Sequence, residues 1–252
     1  MHLRKLKKSK KVFLILVFIV IAIIATVFIF RFNFFGKKIV EQEPKKILLL
    51  PKYGNKEIVR GDTSKKQVIF TFDGGSGVQS VDKVLGVLKK HKVKGTFFLT
   101  GLFVEKNPEV VKKIIDQGGE IFNHTYDHYH LPLLSHEEMV AELDEMNLTL
   151  EKFSISSKPY FRAPYGDVDN RVRESAYKAG YESVYWTVDA GDWKESEGET
   201  SEQVKEKIIS NIAPGTIYLM HLGDNITGKI LDEIFSEIKA KGYNIVSLTE
   251  GI

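Results

Sequence analysis

Three features predict an α/β fold built on a parallel sheet. Short β-branched and aromatic runs alternate with amphipathic helical segments from Gln67 to the chain end. About seven such alternations fit into roughly 185 residues, the rhythm of strand-helix-strand units. Ionisable side chains follow five of the seven strands at the same end. A doubly wound sheet and a (β/α) barrel both satisfy this pattern.

In chain order, Val68-Ile69-Phe70-Thr71-Phe72 reads as the first strand, and Val81, Val84, Leu85 and Leu88 recur at helical spacing. The next strand is Gly95 to Thr100, and Asn107-Pro108-Glu109 opens a helix that Gly118 stops. Glycine-paired Gly119-Glu120-Ile121-Phe122 is β-prone. Ser135-His136-Glu137-Glu138 has capping-box spacing ahead of a stripe of Val140, Leu143, Met146, Leu150 and Phe153. Further strands are predicted at Tyr160-Phe161-Arg162, Ser183 to Val188, Thr216 to Met220 and Asn244 to Leu248. Helices are predicted near 169–179, 202–212 and 229–241.

The N-terminal quarter differs. Arg4, Lys5, Lys7, Lys8, Lys10 and Lys11 crowd residues 1–11, and 12–30 is an uncharged apolar run. That length suffices for a membrane-crossing helix. A signal peptide would have a shorter apolar core and a small-residue cleavage site, which this run does not offer. The basic cluster outweighs Arg31, Lys37 and Lys38, so the run is expected to be a single-pass membrane anchor with the rest extracytoplasmic. Residues 31–65, with Pro44, Pro51 and the Ile47-Leu48-Leu49-Leu50 patch, read as a tether and lead-in, and 66–252 as the α/β domain. A net charge of +3, concentrated at the start, points away from nucleic acid, and nothing indicates a protein partner. The absence of cysteine excludes disulfides, thiolate metal sites and thiol catalysis.

The strand ends carry the chemistry. Asp73-Gly74-Gly75 closes the first strand. His124 and His128 follow the third, Arg162 the fourth, Asp189 and Asp192 the fifth, and His221 the sixth. On a helical turn His124 and His128 would share a face and could grip one divalent cation; a turn with surface histidines is the other reading. A metal that polarises a carbonyl and water, Asp73 as base held ionised by Arg162, and His221 as acid beside an aspartate would together hydrolyse an amide. Backbone N–H groups at Pro164-Tyr165-Gly166 could receive an oxyanion.

Thr71-Phe72-Asp73-Gly74-Gly75, His124-Thr125-x-x-His128, Arg162-x-Pro164-Tyr165-Gly166, Asp189-x-x-Asp192-Trp193 and Leu219-Met220-His221 resemble, in order, the five motifs of the NodB-like polysaccharide deacetylases, carbohydrate esterase family 4. The resemblance covers roughly 66–250 and implies a distorted (β/α) barrel that removes acetyl groups from N-acetylated sugars with a divalent metal, zinc or cobalt. It makes Asp73 the base, His124 and His128 ligands, and Arg162 the residue orienting the base. The Tyr165 N–H becomes an oxyanion donor, and Trp193 and Leu219 become walls of the acetyl pocket. His221 becomes the acid, tuned by Asp189 rather than Asp192. The expected substrate is a cell-envelope polysaccharide, with peptidoglycan foremost.

The family has a second aspartate, its third metal ligand, where this chain has Gly74. Three outcomes follow: metal held by two histidines and water, Asp73 as substitute ligand, or no stable metal. A carboxylate restored at position 74 is expected to stand beside His124 and His128. A glycan-binding barrel without turnover is the alternative.

Overall fold

The computed structural model describes residues 54–75 and 77–252. The 12–30 run and the Ile47–Leu50 patch lie outside them; among the described residues no helix is long and apolar enough to cross a membrane. The strands are β1 (Gln67–Gly74), β2 (Thr96–Leu99), β3 (Glu120–Asn123), β4 (Tyr160–Phe161), β5 (Glu182–Ser183), β6 (Val188–Asp189), β7 (Ile217–His221) and β8 (Asn244–Val246). The α-helices are α1 (Val81–His91), α2 (Gly101–Lys106), α3 (Pro108–Asp116), α4 (His136–Glu151), α5 (Asn170–Lys178), α6 (Ser201–Ser210), α7 (Asn225–Ala240) and α8 (Leu248–Gly251).

Every pairing is parallel, in the order β5-β4-β3-β2-β1-β7-β6, with β8 added to the start of β1. This is the curled parallel α/β arrangement of a barrel. The period-two alternation of β1 separates its two faces. Val68, Phe70 and Phe72 join the helices in the larger apolar cluster, whereas Ile69 meets Phe98, Phe122, Ile217 and Leu248 inside the barrel. Thr71 and Asp73 continue that inner face upward.

The terminal strands β5 and β6 are not paired to each other in this order. Ile58 forms a parallel bridge to Val184, its N–H donating to the Ser183 carbonyl at 2.8 Å. The Arg60 guanidinium reaches Pro214 O and Thr216 Oγ1, each at 3.2 Å, and Gly61 N–H donates to Gly215 O. These contacts fall on the end of the 31–65 tether and lead-in. Residues 57–62 are part of the barrel wall and fill its seam, because otherwise backbone groups of β5 and the start of β7 would lack partners.

Other differences are local. The strand expected over Ser183–Val188 splits into β5 and β6, since Val184 leaves β5 to pair with Ile58. Helix α2 lies where none was expected, capped by the Thr100 hydroxyl, which accepts from Phe103 N–H. Asn107 starts α3 without capping it; its amide donates instead to the Phe103 carbonyl of α2. The capping box at Ser135 and Glu138 is formed, both hydrogen bonds present.

Candidate active site

Because all strands run the same way, their carboxyl ends open on one edge, and a cleft of about 700 Å³ lies there. Asp73, His124, His128, Tyr165, Asp189, Trp193, Leu219 and His221 line it. Arg162 does not; it is fully buried beneath, inside the barrel.

Arg162 organises the floor. Its Nη1 donates to Asp73 Oδ1 at 2.7 Å and Thr71 Oγ1 at 2.9 Å, Nη2 donates to Tyr185 O, and Nε donates to Val184 O. The guanidinium carbon sits 4.2 Å over the Phe98 ring. Burial alone would raise the Asp73 pKa. The positive charge of Arg162, with that of the His221 imidazolium, outweighs it and holds the carboxyl below its ordinary value.

The histidine pair is assembled by a loop, not by a helical turn. Thr125 and His128 adopt left-handed backbone angles, φ 63° and 66°. Three hydrogen bonds stabilise that path. Glu142 of α4 accepts from the N–H groups of Tyr126 at 3.0 Å and Asp127 at 2.9 Å, and Thr125 Oγ1 accepts from His128 N–H. The rings end 4.9 Å apart between centroids. Glu142 was missed in the sequence. Its signal is a carboxylate on the buried helix stripe, three residues after Met139 and four before Met146.

The donor set suits a divalent cation. His124 Nδ1 lies 2.8 Å from the Arg162 carbonyl, which can only accept, so Nδ1 carries the proton and Nε2 the lone pair. That lone pair stands 3.5 Å from Asp73 Oδ2, two electron-rich atoms converging. Burial lowers the pKa of both imidazoles, that of His128 to about 4, so both are neutral at pH 7, the form that can ligate a metal. His124 Nε2 and Asp73 Oδ2 thus converge, with the His128 ring beside His124.

Gly74 is oriented differently from expectation. A Cβ there would lie 2.6 Å from Leu99 Cδ2, 3.2 Å from Leu222 Cδ1 and 3.5 Å from Phe103 Cε2, on the helix-facing side of β1 opposite Asp73. A Cβ at Gly75 would instead stand 3.6 Å from Thr100 Cγ2 and 3.9 Å from His128 Cδ2. Gly75→Asp is therefore expected to tighten zinc about tenfold, ~1.4 kcal/mol. Gly74→Asp should leave zinc affinity unchanged and lose about 1–3 kcal/mol to overpacking. Calorimetric titration and thermal unfolding of both variants check this; tighter zinc in the Gly74 variant would reverse the assignment.

The partner of His221 is also corrected. His221 Nδ1 lies 2.9 Å from Asp192 Oδ1, and its backbone N–H donates to Asp192 Oδ2 at 2.7 Å. Thr227 Oγ1 donates to the same oxygen. Asp189 has other work: Oδ1 accepts from Gly191 N–H at 2.8 Å and Oδ2 from Trp193 Nε1 at 3.3 Å. Gly191, at φ 80°, reverses the chain between the two carboxylates and turns Asp192 inward, fully buried.

Burial would lower the His221 pKa, but the hydrogen bond and charge of Asp192, with Asp73 and Asp224, raise it to about 9. Among the described residues, Asp192, His221 and Asp224 are a three-donor group with ligand atoms within 4.8 Å of one another. The cation this group needs is already present as the His221 imidazolium, and both Asp192 oxygens are taken. The floor therefore presents an ionised carboxylate, Asp73, and a protonated imidazole, His221, in one cleft at neutral pH.

An α/β barrel with this acid-base pair and two neutral imidazoles defines a hydrolase of the amide- or ester-cleaving kind. The sequence profile of the family described as polysaccharide deacetylase matches residues 60–184. Peptidoglycan-N-acetylmuramic acid deacetylase PdaA of Bacillus subtilis is 34% identical over 193 residues, covering 75% of this chain and 73% of that protein. A Bacillus cereus peptidoglycan-N-acetylglucosamine deacetylase is 33% identical, covering 75% and 69%. A solved structure from Bacillus anthracis, described as a carbohydrate esterase family 4 pseudoenzyme, superposes with a TM-score of 0.74 at 32% identity, covering 78% and 69%; a mutant of it is described as having restored enzymatic activity. The chain belongs to the polysaccharide deacetylase family, carbohydrate esterase family 4, and is by that membership an N-deacetylase, a hydrolase of linear amide bonds.

Proposed function

We propose that this protein removes N-acetyl groups from peptidoglycan amino sugars outside the cytoplasmic membrane. The observation that carries the reading is the pairing of Asp73, ionised by Arg162, with His221, protonated by Asp192, on one cleft. Asp73 accepts the proton of the attacking water. The Tyr165 N–H receives charge from the acetyl oxygen, and His221 delivers a proton to the departing sugar nitrogen. Trp193, held by Asp189, and Leu219 enclose the acetyl methyl. A divalent cation, zinc or cobalt, held by His124 and His128 would polarise the acetyl carbonyl and the water. Peptidoglycan as substrate is supported by the relatives' activities.

Acetate release from N-acetylglucosamine oligomers and from peptidoglycan, with chelator and with added zinc or cobalt, tests this. Chelation is expected to abolish release and the added ion to restore it. The lack of a second carboxylate beside the two imidazoles, where a side chain at Gly75 would stand near His128, with the likeness to a pseudoenzyme, favours a second reading: a glycan-binding barrel. Oligomer binding without acetate release at any metal concentration would select it.

The pH profile carries its own expectation. His221 must be protonated, so turnover is retained below its pKa and lost as pH rises through about 9. Asp192→Asn removes the group that raises this pKa, and the alkaline limb is expected to fall toward the ordinary 6.5 or below. A limb that stays near 9 would detach it from His221. The 12–30 run is proposed as the membrane anchor. Full-length protein is expected to remain with membranes through high-salt and alkaline washing; a mature form starting after Thr26 would mean a cleaved signal instead.

A further inference from the structure

The Tyr165 side chain is not used by the proton transfers, yet it is both exposed and fixed. The residue is 61% exposed and lines the cleft. The His130 imidazole stacks on one face at 4.0 Å and 9°, and His128 meets it edge-on at 4.6 Å. His130 is itself held by Asp167, Nδ1 to Oδ2 at 3.0 Å. Tyr165 has φ 61°, a region that bulky residues rarely enter, so the kink that sets its N–H also sets the direction of its ring. Exposed aromatic surface so constrained is suited to a ligand. The aromatic face is electron-rich, and the C–H face of a pyranose carries the complementary partial charge.

We propose that Tyr165, braced by His130 and Asp167, is a stacking platform for the pyranose ring next to the sugar being deacetylated. The proposal rests on the reading of the protein as acting on a polysaccharide. The occupant follows from position. Ring and N–H belong to one residue, so a sugar on the ring lies about one unit from the reaction centre, the place of the adjoining unit of the same strand. Trp193 is not equivalent: Lys194 Nζ covers its ring at 5.0 Å.

The test is steady-state deacetylation of N-acetylglucosamine monomer and hexamer by the full chain and by His130→Ala, Asp167→Asn and Tyr165→Asn. Wild type is expected to show a lower KM for hexamer than for monomer. His130→Ala and Asp167→Asn should raise the hexamer KM about five- to tenfold, with kcat and monomer KM unchanged. Tyr165→Asn, which tolerates a positive φ, should erase the length preference. Equal wild-type KM for both lengths, or equal losses on both in His130→Ala, overturns the platform. Should no form release acetate, calorimetric titration with hexamer separates the two ideas. Weaker binding by His130→Ala supports the platform although the hydrolase reading has failed; equal or absent binding overturns it.

Discussion

Arg162→Met is expected to destabilise the domain by about 3–5 kcal/mol, the cost of breaking a buried ion pair on one side. Asp73 would remain buried without its guanidinium, and Thr71 Oγ1, Val184 O and Tyr185 O would lose donors. For a domain of this size that loss lowers Tm by about 10 °C. Turnover should vanish as well, because burial then dominates the Asp73 pKa and the base becomes protonated near neutral pH. Adding Asp73→Asn removes the unpaired charge, so the double variant is expected to recover much of the stability and none of the activity. An unchanged Tm in Arg162→Met would refute the account of the floor.

His221→Ala is expected to lower kcat by about 10²–10⁴-fold, the range for a positioned general acid. Metal content should stay at the wild-type level, because Asp192 and Thr227 hold His221 apart from the His124–His128 pair. The loss should be smaller for an activated ester with a good leaving group, which needs less protonation. Loss of metal together with His221 would make it a ligand and overturn the acid assignment.

Much of this site could be read from residue order. Asp73, Arg162 and His221 were legible because parallel strands share an active edge, and each residue closes or follows a strand. The choice between Asp189 and Asp192 was not. Two carboxylates three residues apart look alike until Gly191 turns one back onto the loop and the other toward His221. Whether the histidine pair sits on a helical turn or an irregular one stays open in the sequence, because nothing in Thr125 or His128 announces a left-handed backbone. Glu142, which holds that loop, is remote in sequence. The direction of Gly74 was legible in principle: Asp73 faces the lumen, and its neighbour on a strand faces the other way. The seam over 57–62 was hidden by composition, since Glu57-Ile58-Val59-Arg60-Gly61-Asp62 offers only two large apolar side chains at the end of a charged stretch and reads as a linker.

That seam has a consequence for how the chain reaches this shape. Glu57 meets Ser183 and Arg60 meets Thr216, across 126 and 156 residues. Contacts of such separation close late, after the intervening units have formed, and they slow the search. The barrel is therefore expected to assemble as an open trough that its own leading segment zips shut. A chain cut at Lys66 would fold that trough but leave it unzipped, with the Val184 edge bare and the backbone beside Arg162 open to water.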